Sequence, residues 1–140
     1  MGYRSDVAFS IRGKKDDVIA HLTAFRIAGG VHEKTAISAC RYTEDREVLV
    51  ISFEEQSTKW YESYPEVGAI RALFDWFADD EDERFDCAFM RIGEEDDDVE
   101  TLYRGDDPYS LVRVVRTYEM EHLPQDGVKL EEILCAASTS

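Results

Sequence analysis

The chain has 140 residues, of which 44% are apolar and 11% aromatic, and its net charge is −15. These values predict one folded domain and exclude a disordered chain, and the lack of an apolar run of roughly 18 residues excludes a membrane-spanning helix. This negative charge disfavours direct binding to nucleic acid or to an anionic membrane, because both carry charge of the same sign.

The first half of the chain alternates between strand-like and helix-like patterns. Residues 6–12 alternate apolar and polar side chains, which is typical of a half-buried strand. Apolar residues recur at helical spacing over residues 14–30, where the closing glycine pair predicts the end of the helix. Residues 36–42 and 48–53 are β-compatible and flank a polar turn at 43–47, so they predict a hairpin.

The second half opens with a helix signal. Ser63 and Glu66 have the spacing of a capping box around Pro65, and a run of apolar residues at helical spacing begins at Val67. The predicted helix runs into the acidic sequence ADDEDE, where carboxylates face the negative end of the helix dipole. We expect that arrangement to destabilise the end of the helix.

Further strands follow towards the C-terminus. Residues 85–89 alternate apolar and polar side chains and predict a strand, with residues 100–104 as its returning partner. Residues 111–118 are rich in valine and predict a sixth strand. Beyond residue 124 the sequence VKLEEILCA is weakly helical.

The element order β-α-β-β-α-β-β-β predicts an α+β domain. Its first six elements match the split βαβ, or ferredoxin-like, plan, in which an antiparallel sheet carries two helices on one face. The C-terminal strands would extend that sheet, and its other face would be free for solvent or for a partner. We predict one domain over residues 1–123 and a partly flexible C-terminal tail over residues 124–140.

The excess negative charge is concentrated in one segment. Residues 75–107 hold 15 acidic and 3 basic residues, a balance of −12, whereas 11 acidic and 10 basic residues in 1–74 balance to −1. We expect these carboxylates to lie on the surface, to stay largely unneutralised by the chain's own arginines, and to shift one another's pKa only slightly, because water screens them. The acidic residues that we predict to contact a partner are Asp79, Asp80, Glu81, Asp82, Glu83, Glu94, Glu95, Asp96, Asp97, Asp98 and Glu100.

The acidic residues match no specific metal motif. An EF-hand loop that began at Asp96 would have Thr101 where glycine is required, and one that began at Asp80 would contain no glycine. The three histidines are scattered, and His21 lies beside the apolar stripe of the first helix, which indicates a helix-surface role rather than a zinc ligand. We predict no metal site, although weak binding of a hard divalent cation stays open.

No motif indicates an enzyme. GxSxG, P-loop and GxGxxG spacings are absent from the sequence, so we predict neither a catalytic residue nor a cofactor.

The aromatic residues Trp60, Tyr61 and Tyr64 precede the second helix. This position favours packing at the sheet edge and the helix entry over an interface anchor.

Two stretches, MGYRSDVAF and FMRIGEEDDDVE, resemble small uncharacterised proteins of tailed bacteriophages and prophages. Those proteins often open with MGYRS and a strand, and they carry an aromatic-x-RIGE-acidic segment before another strand. The resemblance implies a bacterial cytoplasm as the setting, which agrees with three cysteines, Cys40, Cys87 and Cys135, that lack a disulfide or metal spacing. The sequence ADDEDERFD lies outside the two shared stretches.

Three functions follow from these observations. The first is a non-enzymatic, phage-encoded protein whose carboxylates bind a basic surface of a host or defence protein, as a nucleic-acid mimic or an anti-defence inhibitor would. The second is a small-molecule or nucleotide-binding or sequestering domain, since ferredoxin-like sheets often hold such sites. The third is a small virion or assembly component. A homodimer stays open under each of them.

Overall fold

In a computed structural model of the chain, the described residues are 2–28, 31–113, 119–121, 124 and 127–138. Their strands are β1 (Ser5–Lys14), β2 (Arg41–Asp45), β3 (Val48–Thr58), β4 (Asp86–Gly93), β5 (Val99–Arg104), β6 (Val112–Arg113), β7 (Glu119–Met120) and β8 (Val128–Lys129). Their helices are α1 (Lys15–Ala28), α2 (Val31–Ser38), α3 (Pro65–Ala78) and α4 (Glu131–Ser138). No helix in this described part of the chain has the length and apolar character needed to span a bilayer.

Six strands form one antiparallel sheet in the order β5-β4-β1-β3-β2-β8. The three longest strands lie together at its centre, where Phe9 of β1 is aligned with Phe53 of β3 and Phe89 of β4. Apolar alternation in β1 and β4 fixes this register, because a shift by one residue would turn every buried side chain to the opposite face. The predicted α+β architecture with an antiparallel sheet is confirmed.

The larger core joins alternate residues of the sheet to all four helices. Val7, Phe9 and Ile11 of β1 are fully buried there, and the Phe9 ring stacks on Phe53 at 5.3 Å between centroids. Phe74 of α3 also packs on Phe9, at 5.4 Å. Burial of apolar area is the dominant favourable term in folding, so this cluster supplies most of the stability.

The intervening positions of β1 and β4 form a smaller core. Ala8 and Met90 are buried in one cluster with Leu111, which precedes β6, and with Met120 of β7. This part of the sheet is therefore covered rather than free for solvent. The predicted strand at 111–118 is observed as β6, and residues 114–118 lie outside the described residues.

The first predicted hairpin strand is partly wrong. Residues 36–38 belong to α2, and β2 begins only at Arg41. Ala36 and Ile37 are buried in the larger core, where α2 packs on α3. That tertiary packing overrides the weak β propensity of the local sequence.

The start of α3 also differs from the prediction. Tyr64 is the N-cap residue, with φ −73° and ψ 132°, and its side chain makes no capping hydrogen bond. Pro65 is the first helical residue, where its missing N–H costs nothing. The predicted capping box of Ser63 and Glu66 is therefore wrong.

The tail predicted over residues 124–140 contributes to both the sheet and the core. Strand β8 pairs with β2, with Lys129 opposite Arg41. Leu130, Ile133 and Leu134 are buried in the larger core, so α4 is attached to it by apolar side chains. The flexibility of this tail stays a prediction.

Candidate functional site

Ten of the eleven predicted partner-binding carboxylates lie in two segments at opposite ends of β4, and the eleventh, Glu100, lies in β5. The connection segment, residues 79–83, joins α3 to β4, and the turn segment, residues 94–98, joins β4 to β5. Because a strand rises about 3.3 Å per residue, β4 holds the two segments roughly 26 Å apart. The acids that the sequence predicts as one surface therefore form two patches in the fold.

The turn segment is fastened to the N-terminal residues of the chain. The Tyr3 hydroxyl donates a hydrogen bond to Asp98 Oδ2 at 2.7 Å and accepts one from the Glu95 backbone N–H at 3.1 Å. The Arg4 backbone N–H donates to Glu94 Oε1 at 2.9 Å. Two of the segment's acids therefore hold its shape, and we refer to these contacts of Tyr3, Arg4 and the turn as the clasp.

Two arginines form ion pairs with Asp98, the last residue of the turn segment, and with Glu100 in β5. Arg91 donates to both carboxylate oxygens of Asp98, at 2.7 and 3.1 Å, and to Glu100 Oε1 at 3.3 Å. Arg71 of α3 donates to Glu100 Oε2 at 3.1 Å and to Asp75 Oδ1 at 3.2 Å. Asp98 and Glu100, two of the predicted partner-binding acids, are thus engaged in a network of internal ion pairs.

This network changes the acidity of one carboxylate. The hydrogen bonds from Arg91 and then from Tyr3 lower the pKa of Asp98 to about 2. This shift has its cause in a guanidinium and a phenol, not in the other acids, so it does not contradict the expectation that the carboxylates shift one another only slightly. Charge-assisted hydrogen bonds from a guanidinium favour the ionised form of the carboxyl group.

The connection segment contains one further ion pair. Arg84 donates to Asp80 through Nε at 3.0 Å and Nη2 at 2.9 Å, and its backbone N–H donates to the same carboxylate at 3.1 Å. These bonds lower the pKa of Asp80. Arg84 therefore offsets part of the unfavourable negative charge at the C-terminal end of α3.

The end of α3 is also stabilised from α1. His21 Nε2 lies 2.7 Å from the Trp76 carbonyl oxygen, and because a carbonyl only accepts, Nε2 carries the proton and donates. In return, the Trp76 indole N–H donates to the His21 carbonyl at 2.8 Å, and the two rings stack at 5.0 Å. This reciprocal pair satisfies one of the carbonyls that a helix leaves open at its C-terminus.

Seven of the eleven predicted acids stay exposed and unpaired. Within the described part of the chain their side chains make no ion pair and no hydrogen bond. They are Asp79, Glu81, Asp82, Glu83, Glu95, Asp96 and Asp97. The expectation of unneutralised surface charge holds for these seven, but it is wrong for Asp80, Asp98 and Glu100.

A groove of about 600 Å³ lies between α1 and α3, next to the connection segment. Its apolar and aromatic lining is His21, Phe25, Ala72 and Trp76. Its acidic lining is Asp75, Asp79, Asp80, Glu81 and Asp82. Trp76 is 37% exposed, and we name this depression the tryptophan groove.

Trp76 is not among the residues predicted from the sequence to form a site. The apolar stripe of α3 was predicted, and its residues Ile70, Leu73, Phe74 and Phe77 are buried. A tryptophan at position 76 lies off that stripe, and an indole on the polar side of an amphipathic helix is the signal that would have revealed it. By contrast, Trp60 is buried against Phe53 and Phe89, as the preference for packing over an interface predicted.

A second depression, of about 740 Å³, lies at the hairpin between β2 and β3. Its lining includes two cations and three acids beside an apolar wall, and these residues are Arg12, Arg46, Glu44, Asp45, Glu47, Val48 and Val50. Arg12 is already paired with Asp86, at 2.9 Å. The depression therefore combines an apolar wall with a polar rim in which acids outnumber cations.

No group of three or more His, Cys, Asp or Glu residues within the described ranges is arranged to hold a metal ion. Burial raises the pKa of both Cys40 and Cys87, which keeps these thiols protonated and unreactive.

Comparisons with protein-family models, curated proteins and solved structures find no match to this chain. The resemblance to phage proteins accordingly stays a prediction.

Proposed function

We propose that the protein is a non-enzymatic interaction protein that binds a basic surface of another protein. The observation that carries this proposal is the seven exposed carboxylates without internal partners, placed in two segments at the ends of β4. Such groups attract cationic surfaces and repel phosphate, and they give fast, salt-dependent association.

The clasp supports this role by holding the turn segment in place. Tyr3 and Arg91 fix Asp98, and that leaves Glu95, Asp96 and Asp97 on a turn whose backbone is already ordered. A surface that is ordered before binding loses less conformational entropy when the partner docks. The paired acids therefore act as supports for the unpaired ones.

The partner that we propose is a basic protein of a bacterial host or of its defence systems. The resemblance to phage proteins supports that setting and the bacterial cytoplasm. A surface that normally grips nucleic acid is one target that suits exposed carboxylates. Because the unpaired acids lie in two segments at the ends of β4, we expect a partner with two basic patches roughly 26 Å apart rather than one continuous row.

We also propose the ferredoxin-like plan for the core of the domain, with its helices on one face. The sheet order β4-β1-β3-β2 with antiparallel neighbours supports that assignment. The joining of the four helices to alternate sheet residues in one large core supports it as well.

The test is affinity capture from a bacterial lysate with the full chain as bait and elution by a salt gradient. The variants each remove three negative charges. The turn triple is Glu95→Gln, Asp96→Asn and Asp97→Asn. The connection triple is Asp79→Asn, Glu81→Gln and Asp82→Asn. The control triple is Glu47→Gln, Glu55→Gln and Glu66→Gln, at exposed positions outside both segments.

We expect a partner that the wild type and the control triple release at the same salt concentration. The turn triple and the connection triple should each release it at a lower concentration, because each removes one of the two contact patches. Retention that is insensitive to salt, or equal release by all four proteins, would contradict the proposal.

A second candidate, binding of a small molecule or nucleotide, is supported only by the size and the apolar wall of the depression of about 740 Å³, in which acids outnumber cations. It predicts that a nucleotide, alone or with a divalent cation, raises the Tm of the full chain. An unchanged Tm at millimolar nucleotide would exclude it.

A further inference from the structure

We propose that the tryptophan groove takes an arginine side chain of the basic partner, so that Trp76 is the aromatic anchor of the interface. This inference rests on the proposed function and names the chemistry of one of its two contacts. The groove offers about 600 Å³ between α1 and α3, which is ample for one long side chain. Its apolar lining suits the methylene stem of such a side chain, and its acidic lining suits the charged head.

The exposed part of Trp76 is aromatic surface rather than a polar atom. Its indole N–H is already bonded to the His21 carbonyl, at 2.8 Å. Stacking on His21 at 5.0 Å and contact with Phe25 at 6.1 Å hold the ring in one orientation. A fixed and partly exposed indole is the aromatic side chain to which cations bind best.

The charges that line the groove determine whether a cationic, an anionic or an apolar group can bind there. Asp80 forms an ion pair with Arg84, and Asp75 forms one with Arg71, so each of these two acids already has a cationic partner. Asp79, Glu81 and Asp82 form no ion pair among the described residues, and they leave the groove with an unbalanced charge of about −3. An anionic ligand is repelled, and an apolar one would bury carboxylates without a partner.

Arginine fits this combination better than lysine does. A guanidinium is planar, so it stacks on an indole face while its edge donates two hydrogen bonds to a carboxylate. The lysine ammonium is a compact and strongly hydrated point charge that cannot make both contacts as well.

The direct test uses the ¹⁵N-labelled full chain and the blocked peptide acetyl-Gly-Arg-Gly-amide. The indole N–H signal of Trp76 reports binding, and Trp60→Phe identifies which of the two indole signals belongs to Trp76. The peptide in which citrulline replaces arginine has the same shape without the charge, and the lysine peptide has the charge without the planar group.

We expect the arginine peptide to shift the Trp76 signal to saturation in the millimolar range, the lysine peptide to bind several-fold more weakly, and the citrulline peptide not to bind. The connection triple should weaken arginine binding by about tenfold, which corresponds to about 1.4 kcal/mol. The turn triple removes the same number of charges about 26 Å from the connection segment, so it should change the affinity for the arginine peptide by less than about twofold. An equal effect of both triples, or binding of the citrulline peptide, would overturn the proposal.

The peptide test and the lysate test separate this inference from the function on which it rests. If the arginine peptide shifts Trp76 but the lysate yields no salt-dependent partner, the groove is supported and the proposed function fails. If a salt-dependent partner is found whose release the turn triple alters, but Trp76 does not respond to arginine, the function is supported and the groove proposal fails.

Discussion

The Tyr3 hydroxyl and the Asp98 carboxylate, 95 positions apart in the chain, share a hydrogen bond of 2.7 Å. They come from the two stretches that resemble phage proteins, since MGYRSDVAF contains Tyr3 and FMRIGEEDDDVE contains Asp98. The same stretches form the neighbouring strands β1 and β4, with Ser5 opposite Gly93. They are therefore one structural unit, and Asp98 belongs to the clasp of that unit.

The first prediction compares three consecutive aspartates. Asp96→Asn and Asp97→Asn should each change the free energy of unfolding by less than about 0.5 kcal/mol, because both side chains are exposed and unpaired. Asp98→Asn should lower stability clearly, because it removes the carboxylate that Arg91 and Tyr3 share. Urea unfolding of the three variants measures this, and three equal effects would show that the clasp does not stabilise the fold.

The second prediction concerns the pH dependence of that stability. The folded-state pKa of Asp98 is lowered to about 2 from an ordinary value of 3.8. The stabilisation is therefore fully present above about pH 4 and is lost as the pH falls through about 2. The difference in urea midpoint between wild type and Asp98→Asn should be largest near pH 5 and should shrink towards pH 2. A difference that stays constant over this range would contradict the ion pair.

The third prediction concerns the close packing of Gly93 against the clasp. A Cβ at Gly93 would overlap the Asp98 carboxylate and the Tyr3 hydroxyl. Gly93→Ala should therefore displace the clasp and destabilise the protein by about 1–3 kcal/mol. Gly2→Ala is the matched control, because its Cβ would meet the Tyr61 hydroxyl at 3.0 Å and the flexible end of Lys59. Equal stability of the two variants would show that the clasp can move aside at no cost.

The fourth prediction concerns the pair formed by His21 and Trp76. His21→Ala removes the donor to the Trp76 carbonyl and the ring that stacks on the indole, so it should cost about 1–2 kcal/mol. His32→Ala, at an exposed position on α2, should be close to neutral. The His21 variant should also bind the arginine peptide more weakly, since its indole is no longer held. Unaltered stability in urea would show that the pair does not fasten α3 to α1.

The central sheet could be predicted from the sequence because its signal is local. Apolar alternation in residues 6–12 and 85–89 shows the buried face of β1 and β4 directly. Helix α2 could not be predicted in the same way. Its helical state depends on the burial of Ala36 and Ile37 against the rest of the core, and that contact is not visible in a short window.

The sequence also could not show which acidic residues form internal contacts and which stay unpaired. Arg71 lies 29 positions before Glu100, and Tyr3 lies 92 positions before Glu95, so no spacing rule connects them. The sequence revealed where negative charge is dense, but folding decides which carboxylates meet a cation. The candidate site is therefore the part of the acidic sequence that long-range contacts leave unpaired.

The fifth prediction follows from that selection. Asp79, Glu81 and Asp82 repel one another at the negative end of α3 and gain no internal partner among the described residues in return. The connection triple should therefore raise the free energy of unfolding at low salt, by less than about 1 kcal/mol, and the gain should fall as salt screens the repulsion. Urea unfolding at low and high ionic strength measures this, with the control triple as reference. A stabilising effect would mean that these carboxylates weaken the fold, as expected where side chains serve binding instead of stability. A loss of stability would show that they have structural partners and would remove the basis for a binding role.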